Sequence, residues 1–192
     1  EVLPEIINEI IDGFVWPKSQ RWAYSELRWA RPLRNILLLL NNQQVEGKVA
    51  IDKKNSLHFT NCTFGHRYDN KKIEVRSIDD YESLLEKNKV ILDRSKRRNK
   101  IISDTKLLLK DKSIKLLDDN NLLDEVLGLV EFPNVLIGSI DKQFMNLPKE
   151  VLTTAMKVHQ KYFSIIDNKN NLVPKFLFVS NTIPEKERDR RE

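Results

Sequence analysis

Five cations fall close together at Arg94, Lys96, Arg97, Arg98 and Lys100. Guanidinium and ammonium groups at that density can grip a phosphate backbone, giving salt-dependent affinity without reading base identity. Two features oppose this reading. The charges surround the helix predicted there, and they stand at its start, the end that disfavours cations. A solvated surface or a protein interface is the competing reading. A second group mixes arginine with aromatic rings, and includes Trp16, Trp22, Arg28, Trp29, Arg31 and Arg34. The planar Arg fork suits phosphate and exposed rings suit unpaired bases. Trp22 and Trp29 equally suit a core with Arg stems laid across them. In residues 63–68, Gly65 permits a bend from which His66 and Arg67 project. In residues 156–163, His159 and Lys161 share one side if a strand begins before them. Either segment could line an RNA-facing surface or lock a domain junction.

Other chemistries find less support. His58, Cys62 and His66 are four apart, but the residues between them read as strand and turn. Zinc would need these side chains to converge with a fourth ligand, which the sequence does not specify. A Cys62–His66 nucleophile and base would lack an orienting partner. Asp79-Asp80, Asp118-Asp119 and Asp124-Glu125 suit helix starts and solvated surface. The five glycines are too scattered for a phosphate-gripping loop. The single cysteine excludes an internal disulfide framework and fits a reducing compartment. No catalytic, cofactor-binding or metal-binding residue is therefore expected in this chain by itself. The apolar run 36–40 is too short to span a bilayer, so no membrane association is expected.

The elements that must position these side chains belong to a 192-residue chain with a net charge of +5. Its 40% hydrophobic and 32% charged residues describe a soluble globular protein. Isoleucine spacing predicts a helix over 4–14. A strand over 33–40, a turn at Asn41-Asn42 and a return strand over 45–51 make a predicted hairpin. Short strands over 57–68, broken at Gly65, and another over 72–76 follow. The period changes at Ser77, where Ser77 and Asp80 supply a capping-type start above Tyr81, Leu84 and Leu85. Helices are predicted over 94–110 and 121–130, then a strand over 135–140. Pro148 opens a helix that fades near Lys157, and paired strands cover 161–167 and 173–180. The expected fold is α+β, with a mixed or mostly antiparallel sheet and several packed helices. Its expected parts are a helix and strand-rich subdomain over 1–76, an α+β subdomain over 77–183 and a charged terminal segment over 184–192. The second part is either separate from the first or continuous with it.

Several stretches together resemble a known family. They are Arg28-Trp29-Ala30-Arg31-Pro32-Leu33-Arg34, Thr63-Phe64-Gly65-His66-Arg67-Tyr68 and the run from Leu122 to Pro133. Leu147-Pro148-Lys149-Glu150-Val151-Leu152, Met156-Lys157-Val158-His159-Gln160-Lys161-Tyr162-Phe163 and the run from Pro174 to Asn181 complete the set. Their order and spacing resemble an internal fragment of the beta subunit of bacterial-type glycyl-tRNA synthetase. Asn35, Val158 and Ser164 depart from that family's usual pattern. The resemblance implies a cytoplasmic, ATP-dependent ligase in which a separate alpha subunit carries the catalytic site. The beta subunit would support tRNA recognition and assembly. Its implied partners are the alpha subunit, tRNA(Gly) and the remainder of the beta chain. ATP and Mg2+ would belong to the complete enzyme, and this fragment would be non-catalytic. The tRNA-facing candidates are then Arg28, Arg31, Arg34, His66, Arg67, Arg94, Lys96, Arg97, Arg98, Lys100, His159 and Lys161. A protein-interaction scaffold with little direct RNA contact is the alternative.

Overall fold

A computed structural model describes residues 2–22 and 24–182. The segment 184–192 lies outside the described residues. The chain divides into two compact units, Glu1–Asn88 and Lys89–Glu192, one helix beyond the change of pattern at Ser77.

The first unit opens with helix α1 (Val2–Gly13). Seven short strands follow: β1 (Ile36–Leu37), β2 (Leu39–Leu40), β3 (Gln43–Gln44), β4 (Lys48–Ala50), β5 (Ser56–Thr60), β6 (Cys62–Phe64) and β7 (Lys72–Glu74). Helix α2 (Ile78–Lys87) ends the unit. The Asn41-Asn42 turn joins β2 to β3, with both residues at positive φ (49° and 63°), the backbone a tight hairpin demands and Asn tolerates. The expected long return strand over 45–51 is not formed. Only Gln43–Gln44 returns along β2, and Lys48–Ala50 pairs antiparallel with β5. Burial explains the change. Val49 and Phe59 are buried on these two strands, and the Phe59 N–H donates to the Gly47 carbonyl at 2.9 Å. The expected strand over 33–40 is likewise divided. Its first half pairs parallel with β5, its second antiparallel with β3. At α2, the Ser77 hydroxyl accepts from the Asp79 N–H at 3.2 Å, and Leu85 is buried.

The second unit contains α3 (Arg94–Leu108), β8 (Ile114–Leu116), α4 (Asn120–Leu127) and β9 (Asn134–Ser139). After these come α5 (Lys149–Thr154), β10 (Phe163–Asp167) and β11 (Leu172–Ser180). The sheet is antiparallel throughout, in the order β8-β10-β11-β9. Ile101 of α3 and Leu122, Val126 and Leu127 of α4 pack with Val135, Phe163, Ile165 and Leu177 from the strands. Phe176 alternates to the opposite sheet face from Leu177, and its ring stacks on Tyr162 at 4.5 Å. Gly138 stands opposite Phe176, and a Cβ there would meet the ring at 2.3 Å. Strand β8 has no clear sequence signal, because three residues are too few to show a period. The fold is α+β, with mostly antiparallel sheets. No helix among the described residues is long and apolar enough to cross a membrane.

Candidate nucleic-acid interface

The densest cations are largely engaged within their own unit. Asp93 caps α3 by accepting the Lys96 N–H at 2.9 Å, and that bond holds its carboxyl below the usual carboxylate range. Arg94 and Arg98 both reach Asp124 on α4, at 3.4 and 3.0 Å, and Arg98 also donates to Asn120 at 3.0 Å. Arg97 turns back over the preceding loop, where its Nη1 donates to the carbonyls of Ile91 at 2.6 Å and Leu92 at 2.8 Å. Lys100 pairs with Asp104 at 2.7 Å and lies over the Phe132 ring. Lys96 is exposed at the helix start. Cations at the unfavourable end of a helix are thus compensated by the cap and by acidic and carbonyl groups around it.

The arginine and tryptophan region divides between packing and surface. Trp16 and Trp29 meet edge to face at 4.9 Å, with Phe14 against both. Arg28 is exposed and donates to the Ser19 hydroxyl and carbonyl at 3.1 and 3.2 Å, and Arg31 is exposed. Asn35 is half-buried, and its side-chain amide donates to the Cys62 carbonyl at 2.7 Å. Arg34 leaves this region for the loop between β6 and β7. There it donates to Asn70 Oδ1 at 3.3 Å and lies over the Phe64 ring at 5.7 Å.

That loop is held from beneath. His66 is fully buried, so it does not project as the sequence predicted. Its backbone N–H donates to the Asn88 carbonyl at 2.9 Å, its Nδ1 accepts from the Tyr68 N–H, and its carbonyl accepts from Asp69 and Asn70. Gly65 allows the close approach, since a Cβ there would meet Asn88 at 2.9 Å. Arg67 and Tyr68 are pushed outward by this arrangement, and both are exposed. The pairing of Phe64 with Lys72 brings Lys71 and Lys72 to the same hairpin. Both lysines are exposed. Arg67, Lys71 and Lys72 have no acidic partner among the described residues. Arg34, Arg67, Lys71 and Lys72 therefore gather on one anchored hairpin. Sequence reading found the two arginines and missed the two lysines. The only available signal was the strand pairing around Gly65.

His159 and Lys161 do not share a strand face. Helix α5 widens into a π-helical turn, Ala155–Gln160, and closes with Lys161 in the left-handed region at φ 58°. The predicted strand starts two residues later, at Phe163. His159 is exposed, while Lys161 pairs with Glu125 of α4 at 2.8 Å. Lys157 pairs with Asp119, the cap of α4, at 2.5 Å. Partial burial pushes the Asp119 carboxyl up, but the Lys157 bond and the Leu122 N–H outweigh it and leave the group below the usual range.

Backbone space at Gly47, Gly65 and Gly138 is filled by Phe59, Asn88 and Phe176. Among the described residues, no group of three or more His, Cys, Asp or Glu side chains converges to hold a metal. His58 lies exposed on β5, Cys62 half-buried on β6 and His66 in the interior.

The chain matches the sequence profile of a family described as glycyl-tRNA synthetase beta subunit over residues 1–191. It belongs to the glycyl-tRNA synthetase beta subunit family. The glycine--tRNA ligase beta subunit of Rickettsia felis is 44% identical over 184 residues, which cover 94% of this chain and 27% of that protein. Those of Rickettsia canadensis and Rickettsia peacockii are each 45% identical over 182 residues. The match covers 94% of this chain and 26% and 27% of theirs. The chain thus spans about a quarter of the length of these beta-subunit relatives. Two of the departures from the family's usual pattern are buried or half-buried here: Asn35 ties β6 to its neighbour, and Ser164 lies within β10. Val158 is exposed on the π-helical turn.

Proposed function

We propose that this chain is a non-catalytic part of a glycyl-tRNA synthetase beta subunit. It supports tRNA recognition and holoenzyme assembly for the ATP-dependent attachment of glycine to tRNA in the cytoplasm. ATP, Mg2+ and the reacting groups belong to a catalytic alpha subunit. The contribution of this chain's residues is to bind and orient the RNA backbone. One observation carries the reading: three exposed cations stand on a hairpin whose loop is fixed by a buried histidine, and an exposed fourth, Arg34, reaches that loop. Pre-positioned cations on a fixed loop meet phosphates with less side-chain and backbone ordering than a mobile segment would require. Contacts of this kind set register and orientation rather than base choice.

The test uses the assembled full-length enzyme. Arg34→Ala with Arg67→Ala should raise the KM for tRNA and leave kcat close to wild type, because the lost contacts are made before and during the chemical step alike. The slope of log affinity against log salt should become shallower by roughly 0.7–0.9 per phosphate contact removed. An unchanged KM and an unchanged slope in a folded variant would overturn the reading and favour the scaffold alternative. The internal engagement of α3's cations supports that alternative.

A further inference from the structure

We propose that the outward face of α1, and the groove into which it runs, seat another segment of the full-length beta polypeptide: a stretch with an apolar face flanked by lysine or arginine. Val2, Ile6, Ile10 and Phe14 recur every four residues and are 65%, 44%, 50% and 50% exposed. On the helix, Val2, Ile6 and Ile10 make one stripe, and Phe14 follows just beyond its last residue, Gly13. The adjoining flank, about 100° round the helix, faces the unit's own strands, with Ile7 and Ile11 half-buried and Asn8 donating to the Lys48 carbonyl at 3.0 Å. Helix α1 therefore carries one broad apolar arc, of which its own unit covers one edge and leaves Val2, Ile6 and Ile10 exposed.

Three further observations describe the occupant. Glu5, Glu9 and Asp12 are exposed along the helix beside the stripe. That acidic margin repels RNA and favours a segment with basic flanks. Phe14 then leads into a groove of about 690 Å³ with Ile11, Trp16 and Ile51 in its wall, where Asp12, Glu26 and Asp52 outnumber Arg28 and Lys53. In its wall, the Trp16 indole nitrogen is buried without an acceptor among the described residues. An indole can only donate, and a segment bringing a carbonyl oxygen beside the ring would satisfy it. The third observation is size. A 12-residue helix is roughly 18 Å long, so one stripe along it offers far less than the ~800 Å² per partner of a stable association. A segment tethered to the same polypeptide needs less area, because tethering raises its effective concentration, to the millimolar range where the linker is short and flexible. The relatives place nearly three quarters of their length outside the region matched here, which leaves ample chain to supply it.

The experiment takes the full-length beta polypeptide, purified without its catalytic partner. Ile6→Cys, Ile10→Cys and Tyr24→Cys variants are labelled with a maleimide, and each site is read separately by mass spectrometry. Tyr24 is the reference, being 90% exposed. The expected result is labelling of Ile6→Cys and Ile10→Cys on the order of tenfold slower than Tyr24→Cys, at every protein concentration. In wild-type protein, carbodiimide coupling should join Glu5 or Glu9 to a lysine outside these 192 residues. Mixed heavy and light preparations should show that link within one molecule. Equal labelling rates would overturn the proposal. So would protection lost on dilution, which marks a second copy, or protection gained only with the catalytic subunit.

Discussion

Replacing Arg97 by alanine separates cations that build the second unit from those available to RNA. The side chain donates through one nitrogen to two carbonyls, Ile91 at 2.6 Å and Leu92 at 2.8 Å. Hydrogen bonds to a charged group contribute about 1.5–3 kcal/mol, and two bonds sharing one donor nitrogen do not add fully. The Ile91 carbonyl has poor access to water, since Ile91 is buried and its N–H is fixed to the Glu131 carbonyl at 2.9 Å. Against this, Arg97 Nε is buried without a partner among the described residues, and truncation relieves that cost. The balance is a loss of roughly 1.5–2.5 kcal/mol, or a Tm lower by about 3–10 °C for a chain of this size. Arg67→Ala, at an exposed site with no acidic partner, should stay within about 0.5 kcal/mol of wild type. Thermal unfolding measures the first effect. A filter-binding titration with glycine tRNA, run well below both midpoints, measures the second. Arg97→Ala should lose stability and keep its affinity, and Arg67→Ala should do the reverse. An Arg97→Ala variant of unchanged Tm that binds RNA more weakly would refute the assignment.

Three further substitutions test the packing around these sites. Gly138→Ala should cost about 1–3 kcal/mol in urea unfolding by overpacking against Phe176, and the cost should largely vanish in a Phe176→Ala background. Asn42→Gly should be neutral or better, and Asn42→Val should cost about 1–2 kcal/mol, because the turn needs positive φ there. Asp119→Asn retains a good helix cap and removes the charge facing Lys157. The folded Asp119 carboxyl lies below its unfolded value of about 3.9, so its stabilisation is present above that pH and lost as pH falls through the folded value. Unfolding midpoints of the variant and wild type should therefore differ near neutrality and converge in acid. A gap that persists below about pH 2 would reject the charge as its cause.

Local rules were legible in the sequence where one residue decides the backbone. Asn41-Asn42 marked the hairpin, Ser77 the start of α2, and the isoleucines of α1 its length. What the sequence could not show was which strand each short segment would choose. Residues 45–51 alternate well enough for a return strand, yet Lys48–Ala50 pairs with β5, where Val49 lies opposite Leu57 and both Val49 and Phe59 are buried. The two residues after His159 looked like the start of a strand. The chain instead widens its helix and turns through a left-handed Lys161, a device that depends on tertiary contacts with α4.

The same distinction governs the candidate interface. Charge density along the chain pointed first to residues 94–100, but a helix start repels cations, and that cost makes neighbouring acids and carbonyls their natural partners. Asp93, Asp104, Asn120 and Asp124 occupy those places. A hairpin loop imposes no such field. Around Arg67, Lys71 and Lys72 stand four and five residues on, on the returning strand, while Arg34 comes from 33 residues earlier through a ring contact and a side-chain bond. For a phosphate backbone, the relevant quantity is how many cations remain uncommitted after folding, which neither net charge nor the length of a basic run measures. By that criterion the loop resting on His66 is the stronger candidate, although its sequence carries fewer positive charges in a row.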